Sequence, residues 1–170
     1  MTPKQFVLAY YPYAKKTEEK TGISAKSVLA QAALESGWGK SAPSFNFFGI
    51  KDKDGVNGNE QLVVTVEYSK RIDLKFPVIL SVKLVKIRGE KFYKYVIKDY
   101  FRAYKTPEES FNAHADFFFK NPRYAKAIRK ENISDPLRFF TEIHKAGYAT
   151  DPNYVTTLMK IVKMIEKHLV

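Results

Sequence analysis

The stretch LVVTVEY at residues 62–68 decides the fold class of this 170-residue chain. Large apolar or aromatic side chains occupy every second position, and β-branched residues fill most of the positions between them. A period of two is typical of a β-strand, because successive side chains point to opposite faces of a sheet. The alternation predicts that Leu62, Val64 and Val66 pack on a core, with Glu67 on the opposite face.

Further β-prone segments surround this strand and make it part of a lobe. The runs Phe76–Ile87 and Phe92–Ile97 are rich in β-branched and aromatic residues, and Arg88-Gly89-Glu90 forms a glycine-containing turn between them. Two turn dipeptides precede the strand, Asp54-Gly55 and Asn57-Gly58. We therefore predict a β-lobe of three or four strands.

Helical signals lie on both sides of the β-lobe. Thr2 and Gln5 frame a helix start with a proline between them, the pattern of a capping box. On the helix that begins at Asp135, we expect Leu137, Phe140 and Ile143 to point inward. The predicted helices run from Thr2 to about Lys20, from Ser24 to Ser36, from Thr106 to Asn121, near Tyr124–Lys130, from Asp135 to Gly147, and from Asp151 onward.

These segments together predict an α+β fold that is mostly α. A helical lobe, about residues 1–53 and 101–170, carries the inserted β-lobe, about residues 54–100. We expect residues 1–170 to form a single domain, since a chain of this length suits one core with a sub-lobe.

The composition excludes several classes of site. The chain has no cysteine, which rules out disulfides, thiolate metal sites and a cysteine nucleophile. His114, His144 and His168 show no metal-ligand spacing, and the segment from Asp52 resembles a calcium loop only at its start. We therefore expect no metal. No charge-free stretch approaches the ~20 residues of a membrane span.

The net charge of +11 points to an anionic partner. Of the 29 basic residues, 23 are lysine and six are arginine. Arginine is the usual residue for bidentate base and phosphate readout, so its scarcity argues against a nucleic-acid-binding protein. A solubilising coat and an anionic cell-wall polymer both remain compatible with this charge. Six of the basic residues cluster in the second half of the β-lobe, namely Lys83, Lys86, Arg88, Lys91, Lys94 and Lys98.

Glu35 is the strongest candidate for chemistry. It lies at the end of the second predicted helix and shares one helical stripe with Val28 and Ala32, beside Trp38, the single tryptophan of the chain. An apolar surface and the negative end of a helix dipole both disfavour an ionised carboxylate, so we expect its pKa to be raised. A carboxylic acid that stays protonated near neutral pH is suited to general acid catalysis.

The segments around Glu35 resemble those of bacterial peptidoglycan N-acetylglucosaminidases, glycoside hydrolase family 73, which includes flagellar rod-associated wall hydrolases and autolysins. The resemblance begins with LAQAALESGWGKS at residues 29–41 and NFFGIK at residues 46–51. It resumes in the same order along the chain, in FRAY at 101–104, NPRY at 121–124 and AGYATDPNY at 146–154. One departure is an insert around residues 76–98, which is longer than the family pattern.

The resemblance implies a lysozyme-like fold, with a sugar-binding groove between the helical lobe and the β-lobe. It implies Glu35 as the general acid, Glu67 as the second acidic residue and Tyr148 as an active-site tyrosine. Glu67 would activate water or stabilise positive charge; alternatively, the substrate 2-acetamido group is the nucleophile and Tyr148 positions it. The candidate substrate-binding residues are Trp38, Asn46, Phe48, Tyr124 and Tyr154.

The function expected from the resemblance is hydrolysis of peptidoglycan glycan strands after N-acetylglucosamine. The alternatives are an N-acetylmuramidase or lytic transglycosylase on the same fold, or a non-catalytic wall-binding module. No cofactor is expected, because two oxygen acids and water suffice for the reaction. We expect a monomer that acts outside the cytoplasm, although residues 1–5 do not have the form of a signal peptide.

Overall fold

The computed structural model describes residues 1–52 and 58–169, which form two compact units. One unit consists of Met1–Gly49 together with the chain from Tyr104 onward, and the other is Ile50–Ala103. The turn predicted at Asp54-Gly55, and part of the turn at Asn57-Gly58, lie outside the described residues. The prediction of a mostly α chain with a small inserted sheet is confirmed.

The helical unit is built around its second helix. The helices in chain order are α1 (Pro3–Thr21), α2 (Ala25–Ser36), α3 (Pro107–Lys120), α4 (Lys130–Ile133), α5 (Pro136–Lys145) and α6 (Tyr154–His168). Helix α2 contacts α1, α5 and α6, and its side chains from Ala25 to Ala33 are buried with one exception, Lys26. Such all-round burial marks a central helix. No helix in the described residues is long and apolar enough to cross a membrane.

Local sequence signals fix the ends of α1. The Thr2 side chain accepts from the Gln5 backbone N–H, and the Gln5 side chain accepts from the Thr2 backbone N–H. The capping box predicted from the sequence is therefore confirmed. At the other end, Gly22 has a φ of 81°, a left-handed conformation that glycine adopts without steric cost.

Three helical predictions are corrected by the structure. The segment predicted as a helix near Tyr124–Lys130 forms only a 3-10 turn at Pro122–Tyr124, and the next α-helix is α4. On α5, Phe139 is buried beside Phe140 and Ile143, whereas Leu137 is 51% exposed. Leu137 lies in the first turn of α5, where the chain enters from the surface. Helix α6 begins at Tyr154 rather than Asp151, because the Asp151 carboxylate accepts the Asn153 N–H in a turn before the helix.

The second unit contains a three-stranded antiparallel sheet. Its strands are β1 (Glu60–Ser69), β2 (Val78–Ile87) and β3 (Glu90–Arg102), in the spatial order β1-β3-β2. Arg88 and Gly89 connect β2 to β3 with φ angles of 49° and 84°. Two consecutive residues with positive φ match the twist of a two-residue hairpin, which is the turn that the sequence predicted.

The buried face of this sheet is the opposite of the one predicted. Leu62, Val64 and Val66 are 48%, 56% and 42% exposed. The register places Tyr95 opposite Glu67 and Ile97 opposite Thr65, and both of these β3 side chains are fully buried. The connection between β1 and β2 covers that face, since Phe76 packs on Tyr95 with ring centroids 5.5 Å apart. A three-stranded sheet of this length buries one face only, and here the connecting loop selects which one.

Candidate functional site

Glu35 is held at a tightly structured helix end. It is the penultimate residue of α2, and the chain then passes through Gly37, Trp38 and Gly39 with φ angles of 57°, 60° and 76°. The Ser36 hydroxyl accepts from the Gly39 N–H at 2.8 Å and fixes this turn. The left-handed conformation of Trp38 is unusual for a bulky residue and persists only where the surrounding structure holds it.

The Glu35 carboxyl keeps its proton more tightly than an ordinary glutamate. Its side chain is accessible to solvent from one side, while the protein around it desolvates the carboxyl and raises its pKa above 4.5. Desolvation is the cause, as expected for a carboxyl at the rim of a buried stripe. The neighbours that form this stripe, Val28 and Ala32, are 1% and 0% exposed.

A buried hydrogen-bonded chain lies one helical turn from Glu35. Gln31 precedes Glu35 by four residues on α2, so the two side chains share a face. The Gln31 amide nitrogen donates to the Tyr154 hydroxyl oxygen at 3.0 Å, and its amide oxygen lies 3.2 Å from His114 Nε2. The three residues are 1%, 5% and 3% exposed. The sequence had assigned Tyr154 to sugar stacking and had used neither Gln31 nor His114.

The donors and acceptors of this chain follow from the orientation of the Gln31 amide, whose nitrogen faces Tyr154 and whose oxygen faces His114. Because the Gln31 oxygen is an acceptor, His114 Nε2 carries the proton; this is the neutral tautomer protonated at Nε2. Burial lowers the pKa of His114 to about 3, so the ring stays neutral near pH 7. The Tyr154 oxygen accepts from Gln31, which leaves its own proton free to be donated elsewhere. Phe48 fixes the imidazole by stacking on it, with centroids 3.7 Å apart.

Tyr148 lies in the same group of side chains. Its ring contacts His114, Phe118 and Tyr154 at centroid distances of 6.2, 5.5 and 5.9 Å. Burial is the main cause that raises the pKa of its hydroxyl far above the ordinary value, and the nearby ionisable groups of Tyr154 and Glu35 act in the same direction. Burial also raises the pKa of Tyr154. Both phenols are therefore neutral hydrogen-bond donors near Glu35 across the physiological range.

The other predicted substrate-binding residues differ in accessibility. Tyr124 is 3% exposed and contacts Phe118 and Tyr148 edge-on, so little of its ring is accessible to a sugar. Asn46 is also buried and follows the 3-10 turn Pro43–Phe45. Trp38 and Phe48 are half-buried and retain accessible ring surface. A sugar-stacking role is compatible with the accessible pair and disfavoured by the burial of Tyr124 and Tyr154.

Glu67 belongs to the second unit and lies in an ion-paired cluster. Lys51 Nζ is 2.9 Å from a Glu67 carboxylate oxygen and 2.9 Å from an Asp99 oxygen. Asp99 stands opposite Val63 in the β1–β3 register, on the same face as Glu67. One lysine thus holds two carboxylates, and the Glu67 side chain stays 38% exposed. Within the described residues no group of three His, Asp or Glu side chains is arranged to hold a metal ion.

Two site residues were missed for identifiable reasons. His114 follows Phe111 by three residues and precedes Phe118 by four, a spacing that places all three on one helical face, and all three are buried. Gln31 is four residues before Glu35, a spacing visible in the sequence. What the sequence lacks is the partner, because Gln31 and Tyr154 are 123 residues apart along the chain.

We predict that His114 makes the stability of the helical unit depend on pH. The unfolded chain takes up a proton at His114 below about pH 6.5, whereas the folded chain resists until about pH 3. The stabilising contribution is therefore complete above about pH 6.5 and is lost as the pH falls towards 3. Replacing His114 with Phe should remove this pH-dependent loss of unfolding free energy. Linkage limits the loss from one histidine to about 3 kcal/mol over two pH units.

The measurement is urea unfolding followed by Trp38 fluorescence at about pH 7 and about pH 4.5. His168→Phe is the matched control, since His168 lies at the last turn of α6, away from this cluster. An equal drop in the free energy of unfolding between the two pH values for wild type and His114→Phe would contradict the prediction.

Several known proteins are similar to this chain over most of its length. The glucosaminidase family, described as mannosyl-glycoprotein endo-beta-N-acetylglucosaminidase, matches residues 11–167. The peptidoglycan hydrolase FlgJ of Pseudomonas aeruginosa is 32% identical over 96% of this chain and 37% of its own length. A probable N-acetylmuramidase of Lactococcus lactis is 30% identical over 92% of this chain and 32% of its own length.

The fold agrees with a solved structure over almost its whole length. The C-terminally truncated glycoside hydrolase domain of Salmonella typhimurium FlgJ has a TM-score of 0.71 and 28% identity, over 98% of this chain and 99% of that domain. The chain spans less than half the length of the curated relatives named here. Since the family match covers nearly every residue that builds the site, the chain belongs to the glucosaminidase family of glycoside hydrolases.

Proposed function

We propose that this chain hydrolyses the glycan strands of bacterial peptidoglycan after N-acetylglucosamine, with Glu35 as the general acid. The observation that carries the proposal is the Glu35 carboxyl, solvent-accessible yet with a raised pKa, one helical turn from a buried neutral chain of hydrogen bonds. Family membership supports the reaction class, and the FlgJ relatives support peptidoglycan as the substrate.

The proposed reaction begins with proton transfer from Glu35. The glycosidic oxygen of the leaving sugar receives this proton as its bond to the anomeric carbon breaks, which generates an oxocarbenium-like transition state. Water completes the hydrolysis at the anomeric carbon. Tyr148 and Tyr154 remain neutral, so neither side chain acts as a base that takes the proton of Glu35. Gln31 holds the Tyr154 hydroxyl in one orientation.

Glu67 is proposed as the second carboxylate. The second carboxylate of a glycoside hydrolase either activates water or stabilises the positive charge of the transition state. Its ion pair with Lys51 restricts the side chain while leaving part of it open to solvent. The alternative is that the substrate 2-acetamido group attacks the anomeric carbon and Tyr148 positions that amide. The two routes differ in which residue is indispensable.

We expect Glu67→Gln to lower kcat about 100-fold, because an amide neither accepts the proton of water nor carries the negative charge. Tyr148→Phe should lower kcat about tenfold, the loss of a single hydrogen bond near the reacting atoms. Asp99→Asn is the matched control, since it removes the other carboxylate that binds Lys51, and its kcat should stay within about threefold of wild type. The reverse order of Glu67 and Tyr148 effects would favour the substrate-assisted route.

Product analysis tests the proposed bond specificity. Purified peptidoglycan is digested, the new reducing ends are treated with borohydride, and the fragments are identified by mass spectrometry. Reduced N-acetylglucosamine supports the proposal. Reduced or anhydro N-acetylmuramic acid would overturn it in favour of the second candidate, an N-acetylmuramidase or lytic transglycosylase, which the Lactococcus lactis relative favours. No new ends at all would identify a non-catalytic wall-binding module.

The proposed site of action is outside the cytoplasm, where the glycan strands lie, and the proposed acting form is a monomer. Fractionation of cells that carry the natural protein and light scattering of the purified chain test these two points. Absence of the protein from the cell fractions that contain peptidoglycan would contradict the proposed site of action. A measured mass of twice 19.6 kDa would contradict the monomer.

Anionic cell-wall polymers are a further proposed partner of the β-lobe. The register places Lys83 directly opposite Lys94, with Lys98 on the same face, while Lys86 pairs with Lys91 on the other face. Alternation along the strands favours many of these charges on one face, whereas the register divides them between the two faces. Like charges across a strand pair repel each other, so a bound anion relieves a repulsion that is present in the free protein.

We expect Lys83→Gln/Lys94→Gln to reduce pelleting with cell walls several-fold at low salt and much less at high salt, where the attraction is screened. Lys163→Gln/Lys167→Gln, on α6, removes the same charge and should pellet like wild type. Equal pelleting of all three proteins at every salt concentration would show that these lysines serve only to keep the protein soluble.

A further inference from the structure

A cationic cleft lies in the helical unit beside the group that contains Tyr148. It has a volume of about 450 Å³, and one wall is the segment that follows the 3-10 turn Pro122–Tyr124. The opposite wall is the last turn of α5. This size is in the range of sites that hold small ligands.

The charges of the cleft are strongly unbalanced. Four basic side chains line it: Arg123, Lys126, Arg129 and Lys145. The single acidic residue in the lining is Glu142, which is ion-paired with Lys145 at 2.9 Å. Within the described residues no carboxylate pairs with the other three cations, so the cleft carries a net charge of +3 (four positive charges less one negative).

The backbone at this end of α5 does not oppose an anion. A helix C-terminus normally exposes carbonyl oxygens that repel negative charge. Here the N–H groups of Ala146, Gly147 and Tyr148 donate to the carbonyls of the last turn at 2.9–3.0 Å. Those carbonyls are therefore satisfied, and the side-chain cations dominate the field in the cleft.

The cleft and the proposed active site share a wall. The Arg123 guanidinium lies over Gly147, close enough that a Cβ on this glycine would come within 2.9 Å of it. The same guanidinium stacks on the Tyr124 ring, 5.4 Å from its centroid. Gly147 is followed directly by Tyr148, and the rings of Tyr124 and Tyr148 are 6.1 Å apart. A ligand that contacts Arg123 in the cleft is therefore close to Gly147 and Tyr124, the residues beside Tyr148.

We propose that this cleft binds a carboxylate of the peptide stem attached to the glycan strand that the enzyme cleaves. Peptidoglycan stems carry free carboxylates, and a group attached to the substrate itself must bind close to the cleaved bond. A compact cleft suits a short peptide better than the long face of an anionic polymer. This inference rests on the proposed function. It adds that the enzyme recognises the peptide stem of its substrate as well as the sugar.

The test compares two soluble substrates with the same glycan, one with intact peptide stems and one from which an amidase has removed them. Wild type should show a higher kcat/KM on the stem-bearing glycan. Lys126→Gln/Arg129→Gln should lower the ratio of the two kcat/KM values about tenfold, the loss of two charge-assisted contacts that are partly open to water. Both side chains are exposed and make no described contact with other side chains, so the variant should fold.

Two controls separate the possible outcomes. Lys163→Gln/Lys167→Gln should keep the wild-type ratio, and amidation of the stem carboxylates should reduce the wild-type ratio to that of the cleft variant. An unchanged kcat/KM ratio in Lys126→Gln/Arg129→Gln overturns the inference. The inference also fails if the ratio of this variant falls only when a phosphate-rich wall polymer is added as a competitor. If wild type cleaves neither glycan, the proposed function itself fails, which is a distinguishable result.

Discussion

Glu35→Gln is expected to lower the turnover of peptidoglycan glycan strands by about a thousandfold or more. A general acid contributes about 10²- to 10⁴-fold, and the glutamine amide has no proton of suitable acidity to donate. Because the shape of the side chain is retained, binding to cell walls should be unchanged. The measurement is the rate of release of new reducing ends, with wall pelleting as the test of binding. Activity within a few-fold of wild type would show that Glu35 is not the acid.

The same substitution should stabilise the protein at neutral pH. The raised pKa of Glu35 means that the folded chain holds this proton more tightly than the unfolded chain, so the stabilising effect is complete below the ordinary glutamate pKa of 4.5 and is lost as the pH rises through the raised value. Glu35→Gln removes that loss. Its melting temperature should exceed that of wild type near pH 7 and match it below about pH 4.

Glu19→Gln is the matched control for this stability effect, because Glu19 is exposed on α1. It should show no such divergence between neutral and acidic pH. Equal melting temperatures of Glu35→Gln and wild type at both pH values would mean that the Glu35 carboxyl is not desolvated in solution.

Phe118→Ala is expected to lower the free energy of unfolding by about 3–5 kcal/mol. Phe118 is 1% exposed, and its ring lies 5.0–5.5 Å from those of five other aromatic residues. The five are His114, Phe117, Tyr124, Phe139 and Tyr148. Its removal leaves a cavity that rigid aromatic neighbours fill poorly, and it frees Tyr148 to move. Urea unfolding followed by Trp38 fluorescence measures the change.

The next residue along α3 supplies the control. Phe119 is 44% exposed, so Phe119→Ala removes the same side chain from a site with little burial and should cost less than about 1 kcal/mol. Similar losses for both variants would contradict the role of Phe118 as the centre of the aromatic cluster. Kinetics of the folded fraction of Phe118→Ala should show a lowered kcat, since Tyr148 loses its packing.

Local signals along the chain were sufficient for the start of α1 and for the position of Glu35. The capping box at Thr2 works through atoms three residues apart, and a helical stripe such as Val28, Ala32 and Glu35 repeats within two turns. Such interactions are visible in the sequence because both partners lie close together in it. The direction of the Glu35 pKa shift was predicted from its place on this stripe, and desolvation is its cause in the structure.

The neighbours of Glu35 could not be obtained in this way. His114 and Tyr154 reach Gln31 from helices that follow it by 83 and 123 residues. Tyr154 was a candidate for substrate binding, whereas packing buries its ring and its hydroxyl accepts from Gln31. Burial and hydrogen-bond direction depend on which helices meet, and residue types alone do not specify that.

The sequence by itself determined most of the element types, the α+β order, the candidate acid and the resemblance that family membership confirms. Only the tertiary structure decided which face of β1 is buried, because alternation gives two faces and the covering loop around Phe76 chooses between them. It also decided that Lys51 holds both Glu67 and Asp99, and that four basic residues from two segments enclose one cleft. These features are contacts between distant parts of the chain, and their energies are set by the distances and burial that folding creates.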